Sequence, residues 1–125
     1  VDSNIMQQLK KIFPGPFTVL LESKKTNLSY LVQNESKKIG IRIPNNKFCL
    51  ELLNKYKKPI ITTSVNIHGE KALNKIQEIE KKFSKINIYY QNNNLDSKGS
   101  TIIDFTEKPP KLIRKGDGNY NYGNI

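Results

Sequence analysis

A single cysteine, Cys49, leaves this 125-residue chain unable to close an internal disulfide, as expected of a protein kept in a reducing compartment. No apolar run approaches the roughly 20 residues that a membrane span requires. No membrane partner is therefore expected. No cluster of carboxylates and no Cys/His set has the spacing of a metal cage, so a resident structural metal is not expected either. The first residues lack a basic segment followed by an apolar one, so no secretory leader is expected and the placement is read as cytoplasmic. There are no internal repeats, and the only local bias is the asparagine run at 92–94.

Arginine is also scarce. Of 21 basic residues only two, Arg42 and Arg114, are arginine. The planar guanidinium grips a carboxylate or phosphate through two parallel hydrogen bonds, whereas lysine is a mobile point charge. In a chain that otherwise writes its positive charge as lysine, these two positions are candidate anion sites.

What is abundant is positive charge: the formal net charge is +10 and the pI about 9.7. Such a balance favours encounters with polyanions. The lysines, however, fall as scattered pairs (10/11, 24/25, 37/38, 57/58 and 81/82), the usual pattern of solvated faces.

At this length the chain is one domain or a piece of one, large enough to bury about two thirds of its unfolded surface. Ile5, Met6, Leu9, Ile12 and Phe13 lie at helical spacing behind a possible Ser3 cap, and Pro14 stops that helix. FTVLLE (17–22) reads as a strand. In KIGIRI (38–43), Ile39, Ile41 and Ile43 share one face while Lys38 and Arg42 take the other. Residues 46–56 fit an amphipathic helix capped by Asn45 or Asn46. PIITTS (59–64) reads as a short strand, with a loop around Gly69 after it. A helix over 72–83, strands over 86–90, 100–105 and 111–114, and a tail over 119–125 complete the reading. Helices and strands that interleave without a strict βαβ rhythm predict a mixed twisted sheet with flanking helices, of the α/β or α+β class.

Four segments carry chemistry: PGPFTVLL (14–21), IGIRIP (39–44), PIITTSVN (59–66), and GSTIID (99–104) together with KLIRKG (111–116). Each has a plain structural reading. PGP makes a stiff turn, Thr62, Thr63 and Ser64 cap a loop, and Arg114 pairs with a carboxylate such as Asp104. In this order and spacing, however, they resemble the YrdC-like family of threonylcarbamoyl-AMP synthases. The matching positions are Pro14-Gly15-Pro16-Phe17-Thr18, Arg42-Ile43-Pro44, Pro59 with Thr63-Ser64-Val65-Asn66 and Gly69, Ser100-Thr101 with Asp104, and Arg114-Lys115-Gly116. Val65 stands where the family usually has alanine, and His68 is read as an exposed loop residue.

The resemblance implies a YrdC-like (RibB-like) fold over residues 1–118, corresponding to the C-terminal two thirds of a family domain, with the family's upstream strand and basic segment outside this sequence. It also implies that L-threonine, bicarbonate and ATP give threonylcarbamoyl-adenylate and pyrophosphate, the adenylate then passing to threonylcarbamoyl transferase proteins that modify tRNA. Carried over residue by residue, Arg42 would hold the threonine carboxylate, with Thr62 and Ser100 completing that site. Ser64, Asn66, Arg114 and Lys38 would serve ATP, and Thr18 is a weaker phosphate candidate. Mg2+ would enter with ATP, held mostly by phosphates and water.

Three other readings compete. An RNA-binding module for tRNA or double-stranded RNA would use the net charge together with Tyr89, Tyr90, Tyr120 and Tyr122. A carbamoyl-transfer module of hydrogenase maturation would call for zinc-finger segments, which this sequence lacks. A non-catalytic scaffold would tolerate Arg42→Lys without consequence.

Overall fold

The structure is a computed structural model, which describes residues 2–24, 37–90 and 96–121. Lys25, the asparagine run at 92–94, Tyr122 and the end of the expected tail lie outside them. The chain divides into two compact units, Val1–Ile60 with Lys98–Ile125, and Ile61–Ser97.

In the first unit, α1 (Ser3–Ile12) is capped not by Ser3 but by Asp2, whose carboxylate accepts from the Ile5 N–H at 2.8 Å. Ile5, Leu9 and Ile12 recur at helical spacing and pack on one face of the sheet. Lys10 and Lys11 in the last turn complement the helix dipole. Phe13 closes the helix by donating to the Leu9 carbonyl at 2.9 Å, and Pro14 cannot continue it.

The sheet comprises β1 (Phe17–Glu22), β2 (Lys38–Ile41), β3 (Thr101–Asp104) and β4 (Lys111–Arg114), in the order β2-β1-β3-β4. β1 pairs antiparallel with β2 and parallel with β3, and β3 pairs antiparallel with β4. This is the mixed sheet that the sequence predicts. Alternation along β1 puts Phe17, Val19 and Leu21 into the core with Ile103, Phe105 and Leu9. Burying each such side chain is worth roughly 1.5–3 kcal/mol. Tyr120, placed in the expected tail, packs edge-on against Phe105 and donates to the Gln8 side chain at 3.2 Å.

The other face of the sheet carries Thr18, Leu20, Lys38, Gly40, Ile102 and Asp104. The β3–β4 register shifts between Ile102 and Ile103, so that Ile102 opposes Arg114 while Ile103 opposes Leu112. Without that bulge Ile113 would oppose Ile102, and Arg114 would fall on the core face.

After β2, α2 (Lys47–Tyr56) is capped by Asn46, whose side chain accepts from Cys49 N–H at 3.0 Å. It ends at Lys57, in the left-handed conformation with φ 58°. β2 itself stops at Ile41, one residue short of Arg42, and Ile41 and Ile43 are partly exposed rather than core. Arg42 therefore leaves the strand end and does not project from a strand backed by core.

The second unit contains α3 (Ile76–Lys82), shorter than the helix expected over 72–83. Leu73 N–H donates to the Val65 carbonyl at 2.9 Å, which ties the preceding residues into the loop. The segments 59–64 and 86–90, read as strands, form no ladder with any described residue. Their β-forming composition expresses a fit to a pleated, half-buried surface. Here Ile61 is 74% and Tyr89 89% exposed, and Ile86 is turned back by its N–H bond to the Phe83 carbonyl.

Candidate functional site

Three of the five motifs recognised in the sequence meet a fourth at one end of the sheet. Gly15 N–H donates to the Ile43 carbonyl at 2.9 Å, tying the PGP turn to the Arg42-Ile43-Pro44 segment. Thr101 N–H donates to the Pro16 carbonyl at 2.9 Å, tying the same turn to Ser100-Thr101. The Arg114-Lys115-Gly116 segment closes the group. Gly116 N–H donates to Thr101 Oγ1 at 3.0 Å, and that hydroxyl donates to the Gly118 carbonyl at 2.7 Å. The approach is close enough to demand glycine, because a Cβ at Gly116 would lie 2.2 Å from the Gly99 oxygen.

On the open face this frame holds a cluster of hydroxyls and a guanidinium. Thr18 Oγ1 and the buried Ser100 Oγ are 2.7 Å apart. Arg114 donates to the Ser100 carbonyl through Nε at 3.2 Å and Nη2 at 2.9 Å, and Nη2 also reaches Ser100 Oγ at 3.4 Å. The positive φ of Gly99 (81°) carries the chain beneath that guanidinium, and a Cβ there would sit 3.2 Å from Nη2. Fixed this way, Arg114 retains Nη1 for a ligand. The cluster combines hydroxyl donors with a guanidinium, which suits a carboxylate, a carbamate or a phosphate.

Farther along the same face, Lys38 does not stand free. Its ammonium donates to Asp104 Oδ2 at 2.7 Å, and Glu107 lies at 3.6 Å. Thr106 donates to Asp104 Oδ1 through its N–H at 2.9 Å and its hydroxyl at 2.6 Å. Burial pushes the Asp104 carboxyl upward, but the bonds from Lys38 and Thr106 outweigh it and leave its pKa below the usual value. The Asp104 hydrogen bond raises the Lys38 pKa, offset in part by desolvation. The carboxylate expected for Arg114 is thus taken by Lys38.

Arg42 is exposed at the end of β2. Thr62, Ser64 and Asn66 belong to the second unit. There Ser64 donates to the Asn66 side chain, whose amide donates to the carbonyls of Ile67 at 2.9 Å and Glu70 at 3.1 Å. Asn66 therefore staples the 64–70 loop that presents Ser64. Thr62 and His68 are exposed. Two participants are not legible as such in the sequence. Thr101 is the buried clasp of the frame, and Asp104 accepts from the Lys38 ammonium across a separation of 66 positions. The Ser-Thr-x-x-Asp pattern marks both residues without revealing either task.

Comparison with known proteins places these features in context. The model of the family described as telomere recombination (Sua5, YciO and YrdC) matches residues 1–116. The uncharacterized protein YciO of Escherichia coli is 30% identical over 121 residues, covering 95% of this chain and 59% of its own length. Its crystal structure superposes with a TM-score of 0.83 over the same shares. A threonylcarbamoyl-AMP synthase of Pyrococcus abyssi is 28% identical over 109 residues, 86% of this chain and 32% of that protein. The P. abyssi Sua5 structure complexed with L-threonine has a TM-score of 0.79 at 25% identity, covering 93% of this chain and 34% of that one. The chain thus spans about 59% of the length of YciO and less of the P. abyssi proteins.

Proposed function

Since the chain belongs to the Sua5, YciO and YrdC family, we propose that it works in the formation of threonylcarbamoyl-adenylate and pyrophosphate from L-threonine, bicarbonate and ATP, for tRNA modification. The observation that carries this reading is the meeting of the PGP, Arg-x-Pro, Ser-Thr and Arg-x-Gly segments around the Thr18–Ser100–Arg114 cluster. The likeness to a synthase and to a Sua5 bound to L-threonine supports it.

In this reading the threonine amine and bicarbonate condense to a carbamate with loss of water. A carbamate oxygen then attacks the α-phosphorus of ATP, and pyrophosphate leaves. No side chain forms a covalent bond; positioning and charge stabilisation supply the rate. Arg42 grips the threonine carboxylate in a bidentate pair, and its exposure leaves the fork open to a ligand. Ser100 supplies a hydroxyl hydrogen bond to the same substrate. Arg114, through Nη1, and Lys38 meet phosphate oxygens. Within the second unit, the resemblance assigns Thr62 to L-threonine and Ser64, on the loop that Asn66 staples, to ATP. Mg2+ bound to ATP would neutralise phosphate charge.

Titration calorimetry with L-threonine tests the amino-acid site. Binding weakened at least about tenfold by Arg42→Lys is expected, since a point charge cannot reproduce the fork. Equal affinity in the variant overturns the assignment.

One observation favours a second reading, RNA binding. Tyr89 and Tyr90 are 89% and 53% exposed in a basic chain, as stacking platforms would be. Tyr120, packed against Phe105, is not available for that role. Steep loss of RNA affinity with salt, without nucleotide turnover, would select this reading.

A further inference from the structure

Asp104 is a charged residue buried at the end of β3, only 4% exposed, and the reaction scheme gives it no task. A buried carboxylate without compensation is expensive. Here Thr106 supplies two donors to Oδ1, which fixes the plane of the group and aims Oδ2. Lys38 then crosses from β2 over β1 to reach Oδ2 at 2.7 Å. Two strand spacings separate their backbones, roughly 10 Å, so the lysine chain is drawn out across the sheet.

If this pair served only to neutralise Asp104, the lysine head would be buried with its partner. Instead the Lys38 side chain keeps 38% of its exposure while Asp104 keeps 5%. An ammonium has three donors, and one is spent on Asp104. Glu107, half exposed and 3.6 Å away, is too distant for a hydrogen bond and acts as a loose counter-ion. Lys38 also lines an open depression with Glu22, Ser23, Lys37, Thr106 and Glu107. The same sheet face carries Arg114 beside Ser100, four residues back along the chain from Asp104.

We propose that Asp104 is a positioning residue that holds the Lys38 ammonium over the open face of the sheet as an anchor for the phosphates of a nucleotide, with Glu107 as the counter-ion that such a ligand displaces. The inference rests on the ATP part of the reading above. A free lysine loses much rotamer freedom when it is fixed on a ligand; tethered to Asp104 it has already lost that freedom.

The sign of one substitution separates positioning from simple electrostatics. Removing a negative charge beside an anion site strengthens anion binding if the carboxylate merely contributes to the field, and weakens it if the carboxylate aims the lysine. ATP and inorganic pyrophosphate are titrated calorimetrically into the wild-type protein, Asp104→Asn, Lys38→Met, the double variant and Glu107→Gln, with circular dichroism as the check on folding. The expected result is a loss of about tenfold in each single variant at Asp104 and Lys38, a double variant no weaker than Lys38→Met, and a gain of about two- to threefold in Glu107→Gln. Unchanged or tighter binding by Asp104→Asn overturns the proposal, as does unchanged binding by Lys38→Met. Should Asp104→Asn fail to fold, Thr106→Val, which takes one donor from the carboxylate, is expected to weaken binding several-fold, and unchanged binding there overturns it. A wild-type protein that binds neither ATP nor pyrophosphate removes both this inference and the ATP site. Pyrophosphate binding with the expected variant pattern, but without threonine-dependent turnover, supports the inference and removes only the synthase reading.

Discussion

Thr101→Val tests whether the frame around Arg114 is held by one buried hydroxyl. Thr101 is 1% exposed, and valine reproduces its shape. What valine cannot reproduce is the bond from Oγ1 to the Gly118 carbonyl at 2.7 Å and the bond it accepts from Gly116 N–H at 3.0 Å. Gly116 and Gly118 are both buried, so water does not replace the hydroxyl for either group. Leaving a buried donor or acceptor unsatisfied costs about 1–3 kcal/mol. With two such groups and some relaxation of the loop, the substitution is expected to cost about 2–4 kcal/mol. Thr101→Ser keeps both bonds and gives up one methyl, for about 1 kcal/mol. The assay is urea unfolding followed by circular dichroism, with the midpoint shift converted at a common m value. Thr101→Val within about 0.5 kcal/mol of wild type, or no worse than Thr101→Ser, would show that the buried hydroxyl does not hold the frame.

Three further outcomes follow from the same contacts. The Lys38–Asp104 pair stabilises the fold above the unfolded carboxyl pKa of about 4, and its acid contribution is lost as pH falls through the lowered folded value. On the alkaline side it is fully present below the unfolded lysine pKa of 10.5 and is lost as pH rises through the raised folded value. The stability difference between wild type and Asp104→Asn should therefore be flat near neutrality and shrink at low pH; a difference that grows on acidification would contradict this assignment. Lys57→Gly, which relieves a left-handed residue at the end of α2, should stabilise by up to about 1 kcal/mol, and any loss of midpoint would contradict the cap geometry. Ile103→Val, at a fully buried site between β1 and β4, should cost about 0.5–1.5 kcal/mol. A neutral result there would mean that the core is not packed as described.

The features legible in the sequence are those with local causes. β1 and β4 have the bounds that their composition implies, and α2 starts at Lys47 because the short polar side chain of Asn46 before it satisfies Cys49 N–H. Arginine scarcity by itself singles out Arg42 and Arg114. The rest depends on partners distant in the chain. Nothing near Arg114 announces the register shift that turns it toward Ser100, since a bulge is a property of two strands. The motifs send Ser100 and Arg114 to different ligands, yet the two residues touch. Alternation gives Lys38 and Arg42 a common face, but cannot show that the ladder ends between them at Ile41. Segments 59–64 and 86–90 have the composition of strands, and a strand also needs a neighbour to bond. No described residue supplies one.

The most direct test of the central claim is pyrophosphate release by the protein in ATP, Mg2+, bicarbonate and L-threonine, with each component omitted in turn and L-serine substituted for L-threonine. Release is expected to require both L-threonine and bicarbonate and to fall sharply with serine. Release that ignores threonine or bicarbonate, or none at all, would rule out the synthase reading.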